Sequence, residues 1–227
     1  MGGVSRTVAI IQCRLGSTRL PGKALRELAE RPLIGHLVDR LRQVRGLDEI
    51  SLAIGDAAGN APLVTFARHE GLRWVIGSEE NVLWRFMDAV KVFEADIVLR
   101  ATPDCPLWAP DLGGQVLAAL RQGFEYVHNT RPGVDGFDAE AFTPKALESC
   151  WIMGNDREHV TAWLRSTEAS AFLPTAYVQQ AEALWHLKLS IDTEEDWTRV
   201  AAIFAHLPPK SYWWRDTLQA AQAAGLA

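Results

Sequence analysis

One ten-residue stretch restricts this chain more than any other. Arg14-Leu15-Gly16-Ser17-Thr18-Arg19-Leu20-Pro21-Gly22-Lys23 follows on the apolar run Val8-Ala9-Ile10-Ile11, which reads as a buried first strand. Two glycines let the backbone approach a ligand closely, and Arg14, Arg19 and Lys23 bring three cations to it. Such a loop at the end of a strand holds an anion, and its charge points to a polyanion such as a nucleoside triphosphate. A solvated basic turn is the plainer reading of the same residues. The loop is not a Walker A motif, because five residues separate Gly16 from Gly22 and Ala24 follows Lys23. Nor does a Gly-x-Gly-x-x-Gly follow the first strand.

Strand and helix signals alternate after the loop. Pro32 can open a helix whose Leu33, Ile34, Leu37, Val38, Leu41 and Val44 share one face, with Gly46 ending it. Residues 50–54 read as a strand, 62–70 as a helix closed by Gly71, and 72–76 as another strand. Ser78 is the expected N-cap of a helix carrying Val82, Leu83, Phe86, Met87, Val90 and Phe93, with Glu79 and Glu80 at its positive end. Ile97-Val98-Leu99 is the next strand. Repeated β-α units of this kind predict an α/β fold with a mainly parallel sheet covered on both faces.

The second half is less regular. Residues 124–128 read as a strand, 129–138 as a loop rich in Gly, Pro and Asp, and 144–153 and 157–165 as helices. A last strand over 187–191 leads into a helix over 194–206 capped by Thr193. No repeat or interdomain linker is visible, so residues 1–227 are expected to form a single domain, with an irregular acceptor or dimer segment at about 129–165.

Composition excludes several classes. A net charge of -5 argues against non-specific nucleic-acid binding, which needs a broad basic surface. Three scattered cysteines, Cys13, Cys105 and Cys150, make neither a disulfide framework nor a zinc knuckle and suit a reducing compartment. No apolar stretch is long enough to span a bilayer, and the N-terminus lacks a signal-peptide core. The expectation is a soluble cytoplasmic protein.

The loop, extended to Gln12-Cys13-Arg14, resembles the signature of the sugar cytidylyltransferases, which include the synthetases that activate 3-deoxy-manno-octulosonate and acylneuraminates. The branch it looks most like is the spore-coat polysaccharide biosynthesis protein F group. Further matches occur in the family's order: Gly77 to Leu83, Arg100 to Pro106, Asp135-Gly136-Phe137-Asp138-Ala139-Glu140, Arg157-Glu158-His159-Val160-Thr161 and Ser190 to Asp196. The resemblance covers most of the chain. It implies a three-layer Rossmann-like nucleotide-diphospho-sugar transferase fold of the glycosyltransferase A type, with a mainly parallel mixed sheet. It also implies a cytoplasmic Mg²⁺-dependent enzyme that joins CTP and a sugar or sugar acid into a CMP-sugar and pyrophosphate. A homodimer follows by analogy.

Site residues carry over position by position. Arg14, Arg19 and Lys23, with the backbone N–H groups of Gly16 and Ser17, would hold the triphosphate, Lys23 matching the family's phosphate-contacting lysine. Asp104, just past the strand ending at Leu99, and Asp192, ending a later strand, match its metal-binding aspartates. Mg²⁺ takes one or two carboxylates plus phosphate oxygens in such sites. Lys23, Arg14 and Asp104 are therefore the expected catalytic set. Asp135, Asp138, Glu140 and His159 fall in the acceptor region, where a solvated acidic loop or a capping histidine is the plainer reading. Three positions depart from the family: Pro103 where relatives have Gly, Ala109 where they carry Asp before a proline, and Ile76 where they carry Arg. They leave open a glycosyltransferase of the same fold or a non-catalytic nucleotide-binding descendant. The first usually needs an Asp-x-Asp, which Asp104-Cys105-Pro106 does not provide.

Overall fold

The computed structural model describes residues 5–130, 133–180 and 186–227. Its centre is β1 (Thr7–Cys13), an apolar strand buried along nearly its whole length. Val8 and Ile10 face one layer and Ala9 and Ile11 the other, as the two-residue period of a strand requires. With both faces covered and both edges paired, this strand can only be interior. It pairs in parallel with β4 (Glu49–Gly55) and with β6 (Ile97–Ala101). Outside β4 lies β5 (Arg73–Gly77), also parallel. Beyond β6 come β8 (Glu140–Phe142), β7 (Tyr126–His128) and β9 (Thr175–Tyr177). The order is β5-β4-β1-β6-β8-β7-β9, and β8 alone runs against the rest. Residues 27–32 make a small separate hairpin of β2 (Glu27–Leu28) and β3 (Arg31–Pro32).

Helices cover both faces. α1 (Leu33–Leu41), α2 (Ala61–His69) and α4 (Pro110–Leu120) bury their apolar stripes against one side of the sheet. α3 (Val82–Val92) and α5 (Pro144–Met153) cover the other, with α6 (Thr167–Phe172) beyond them. A third cluster joins α7 (Glu194–His206) and α8 (Trp214–Ala223) to Leu107, Phe137 and Ile191 beside the first face. The mixed, mostly parallel three-layer α/β architecture is the one the sequence predicts. Elements α4, α6, α8, β8 and β9 lie outside the elements predicted above.

Four local expectations are corrected. The cap of α3 is Asn81, whose side chain accepts the Trp84 N–H at 2.9 Å. Ser78 instead accepts the Asn81 N–H at 2.9 Å, in a turn whose Ser78 carbonyl is drawn to Arg85. Residues 157–165 are not an α-helix; only Trp163–Arg165 forms a 3-10 turn. The Arg157 carbonyl accepts the Leu83 N–H at 3.0 Å, and Asp156 caps the N–H groups of Glu158 and His159. These bonds fix the segment as a turn set against the start of α3. Residues 187–191 bury Leu187, Leu189 and Ile191 alternately, yet make only a bridge from Lys188 to Asp135, because their N–H groups bond to loops. The strand over 124–128 begins only at Tyr126. Within the 129–138 loop, residues 131 and 132 lie outside the described residues. Thr193 caps α7 as expected, in a reciprocal capping box with Asp196.

Among the described residues Trp108 is the largest fully buried side chain, and its indole N–H donates to the Asp138 carbonyl at 2.8 Å. Its ring lies over Gly113 on α4, where a Cβ would come within 2.1 Å of the Trp108 ring. Gly113→Ala therefore overpacks this contact and is expected to cost about 1–3 kcal/mol, measured by denaturant unfolding at unchanged m-value.

Candidate active site

The basic loop leaves β1 at the carboxyl edge of the sheet, where open α/β folds bind ligands. It is closed on itself: the Leu15 carbonyl accepts N–H groups from Ser17 at 2.9 Å and Gly22 at 3.0 Å. Gly22 sits at φ 71°, in the left-handed region that favours glycine, and this turn delivers Lys23 into a 3-10 turn. Asn60 anchors the other side by accepting the Leu15 N–H at 2.7 Å. The Ser17 N–H, expected to face an anion, is thus spent inside the loop.

Above the loop lies a cleft of about 360 Å³. Arg14, Gly16, Ser17, Arg19 and Lys23 line it, with Asp104, Asp192 and His159 across from them. The structure therefore brings together most of the residues singled out from sequence. Lys23 is central. Its Nζ donates to Asp192 Oδ1 at 2.9 Å, Asp104 Oδ2 at 3.2 Å and the Ile191 carbonyl at 2.6 Å. Burial disfavours the ammonium, but the carboxylates of Asp104 and Asp192 outweigh it and hold Lys23 above the ordinary lysine range. For Asp192 the order is the same: burial raises its pKa, Lys23 and Arg19 lower it further, and the net direction is down. Arg19 adds a contact to Asp192 at 3.1 Å, and Arg14 pairs with Glu158 at 2.9 Å. The Arg14–Glu158 pair is exposed and of small energetic value, and the Arg19 side of the other pair is exposed as well.

Asp192 is itself held from behind. Asp196 accepts the N–H groups of Asp192 at 2.9 Å and Thr193 at 3.1 Å, and pairs with Lys188 and Arg199. Burial pushes the Asp196 carboxyl up, yet these donors hold it far below the usual range.

A magnesium ion fits the chemistry of this corner. Two carboxylates and a main-chain carbonyl are hard oxygen donors, and they already surround one cation, the Lys23 ammonium. Among the described residues no cluster of three or more His, Cys, Asp or Glu is placed to hold a metal. Any ion here must complete its shell with phosphate oxygens and water.

The acceptor-side candidates divide. His159 lines the cleft, half-tied by its Nδ1 to Asp156 at 2.9 Å. Asp135 and Asp138 do not line it. Asp135 bridges in backbone to Lys188. Asp138 is pushed up to about 6, mainly by burial, with the Gly136 N–H opposing and Asp135 and Glu140 adding to the rise. Glu140, only 2% exposed, has its oxygens taken by Arg100 at 2.6 Å, Arg165 at 3.0 Å and the Tyr126 hydroxyl at 2.5 Å. Burial is the largest single influence and raises its pKa, but these partners together outweigh it and hold the carboxyl below the usual range. Arg100 also donates to Gln12 in the cleft wall at 3.0 Å, so this network supports the site from beneath. Gln12, Arg85 and Glu158 line the cleft and were not singled out as site residues from sequence. Arg85 had a signal, being a charge on the apolar stripe of α3. The departures from the family pattern also take their places: Pro103 lines the cleft, Ala109 is buried at the start of α4, and Ile76 is 55% exposed on β5.

A phosphate-sized basic loop facing a carboxylate pair, at the open edge of this sheet order, defines a nucleotidyltransferase. The chain belongs to the cytidylyltransferase family, whose profile matches residues 8–212. It is 34% identical over 197 residues to the uncharacterized protein MJ1063 of Methanocaldococcus jannaschii, covering 84% of this chain and 80% of that one. It is 31% identical over 203 residues to the spore coat polysaccharide biosynthesis protein SpsF of Bacillus subtilis, covering 86% and 85%. The structure of a cytidylyltransferase from Leptospira borgpetersenii superimposes with a TM-score of 0.90 at 24% identity, over 97% of this chain and 95% of that one.

Two stability tests follow from the buried carboxylates. Because folding raises the Asp138 pKa above the ordinary 3.8, the native state binds that proton more tightly and loses stability as pH rises from about 4 to about 6. Asp138→Asn should match wild type near pH 4 and exceed it at pH 7.5 by up to about 3 kcal/mol in denaturant unfolding. Glu140→Gln should have the opposite effect, costing about 3 kcal/mol at pH 7, because it leaves Arg100 and Arg165 without their shared counter-charge.

Proposed function

We propose that this enzyme transfers a cytidylyl group from CTP to a hydroxyl of a sugar or sugar acid, with Mg²⁺ as its metal, giving a CMP-sugar and pyrophosphate. The observation that carries this reading is the Lys23 ammonium seated between Asp104 and Asp192 at the mouth of the basic loop. The sugar oxygen attacks the α-phosphorus, the bond from that phosphorus to the bridging oxygen breaks, and the hydroxyl proton passes to water. Arg14, Arg19 and Lys23 place three fixed cations where charge moves onto the departing pyrophosphate, stabilising it without reorganisation. The loop's internal hydrogen bonds and the Asp196 support keep these groups in place before substrate arrives, so little ordering cost remains. Asp104 and Asp192 would hold the metal, which when bound neutralises triphosphate charge and polarises the α-phosphate.

His159 and Glu158, on the side of the cleft facing the loop, are the groups proposed to meet the sugar. Glu140 supports rather than contacts it. The sugar is read from the family and from the polysaccharide role in the name of the Bacillus relative. A homodimer through the segment at about 129–165 remains part of this reading, with exposed Ile152 and Met153 offering an apolar surface there.

Pyrophosphate release from the four nucleoside triphosphates, crossed with sugar acceptors and with or without Mg²⁺, tests the proposal. Release is expected with CTP and Mg²⁺. Lys23→Ala and Asp104→Ala should each lower kcat/KM by about 10²-fold or more. Full Mg²⁺-dependent turnover by Asp104→Ala would overturn the metal assignment, and release from a different nucleotide would overturn the choice of CTP.

A further inference from the structure

Helix α3 buries a guanidinium for which the phosphate and metal groups give no account. Arg85 is 1% exposed, yet no carboxylate among the described residues lies within ion-pair distance of it. Its polar partners are two main-chain carbonyls, both on Nη1: Ser78, and Glu79 at 3.5 Å. The Nε–H is buried with no partner, and Nη2, on the same edge of the fork, donates to no described group. Burial, the largest influence, pulls this guanidinium below the ordinary arginine range. A desolvated charge with an open pair of donors is unfavourable until a ligand completes it.

Position says which part of a ligand that is. Arg85 lines the cleft together with Cys13 and Val82, and the same cleft holds Lys23, Asp104 and Asp192. The turn that Arg85 grips follows β5, and Asp104 follows β6, in the order β5-β4-β1-β6. Three strand spacings separate those ends by about 14 Å, which suits a nucleotide laid from base to phosphates. With the phosphates at Lys23, the group that reaches Arg85 is the base.

We propose that Arg85 reads the base, donating from Nε–H and Nη2–H to the adjacent O2 and N3 acceptors of cytosine. This rests on the nucleotidyl-transfer reading above. Two parallel donors match two neighbouring acceptors, the geometry that makes arginine selective for one base edge. Uracil carries a donor N3–H at the second position and sets donor against donor, leaving buried groups unpaired. Guanine's O6 and N7 are the other neighbouring acceptor pair, so GTP is the informative competitor. Gly77 is part of the same device. A Cβ there would meet Arg85 Cγ at 3.0 Å, its Cβ at 3.3 Å and its Cα at 3.5 Å, so a side chain at 77 presses on the Arg85 stem.

The test compares wild type with Arg85→Lys, Arg85→Gln and Gly77→Ala. The CTP-to-UTP ratio of kcat/KM should fall about 10- to 100-fold in each Arg85 variant, Arg85→Lys included, because lysine keeps the charge and loses the fork. Inorganic tripolyphosphate, which has no base, should bind all variants as it binds wild type. An unchanged CTP-to-UTP ratio overturns the proposal, and so does tripolyphosphate binding that weakens as much as CTP binding, which would make Arg85 a phosphate ligand. Tighter wild-type binding of GMP than CMP overturns the choice of cytosine. If the variants fail to fold, the wild-type Arg85 Nε–H resonance decides: it should move on adding CMP and stay on adding UMP or tripolyphosphate. Failure to move with CMP overturns the proposal. These binding arms need no turnover, so an inactive wild type would count against the reaction alone.

Discussion

Strand β1 has helices on both faces and parallel strands on both edges, and this enclosure dictates where the chemistry sits. A chain leaving such a strand can only emerge at the carboxyl edge of the sheet, and the residues that emerge here are the basic loop. The loop's hydrogen bonds to its own Leu15 carbonyl, and the left-handed turn at Gly22, then bring Lys23 to the end of β6. There its ammonium ties the loop to Asp104 and to Asp192, three segments distant in sequence. The core of the sheet and the geometry of the site are consequences of one buried strand.

Charge is arranged in two tiers. In the cleft, Lys23, Asp104 and Asp192 are partly open to water and form a set that a triphosphate and a cation can rearrange. Behind it, Asp196 and Glu140 are buried and fully engaged, one holding the Asp192 backbone and the other locking β6, β7 and β8 through Arg100, Arg165 and Tyr126. Buried carboxylates with several donors stay ionised and rigid, so the outer groups keep their positions without substrate. Arg85 stands apart from both tiers as a buried charge with no carboxylate among the described residues within ion-pair distance.

Much of this was legible in the sequence because it rests on local signals. Apolar runs gave the parallel strands, helical periodicity gave α1 and α3, Gly71 closed α2, and Thr193 gave the start of α7. A further helix signal lies in Pro110 followed by Leu112, Val116 and Leu117, which has the N1 proline and the spacing of α4. The failures elsewhere share a cause. Residues 157–165 have helical character, but the Arg157 carbonyl bonds to Leu83, more than seventy positions away. Residues 187–191 alternate like a strand, but among the described residues their N–H groups bond to loops, Leu189 to Asp135 and Ile191 to Asp104, and not to a neighbouring strand. Long-range partners decided both.

The candidate site divides in the same way. The sequence by itself determined which residue types are present: three cations and two glycines after a buried strand, and aspartates at 104 and 192. Only the tertiary structure decided what each does, because a carboxylate's role depends on which donors surround it. Asp104 and Asp192 meet one ammonium at the cleft, Glu140 disappears beneath it among two guanidiniums and a phenol, and the Ser17 N–H turns inward to its own loop. The basic loop is a one-strand feature that any reader of the chain can find. Its partners come from strands and loops that folding alone brings beside it.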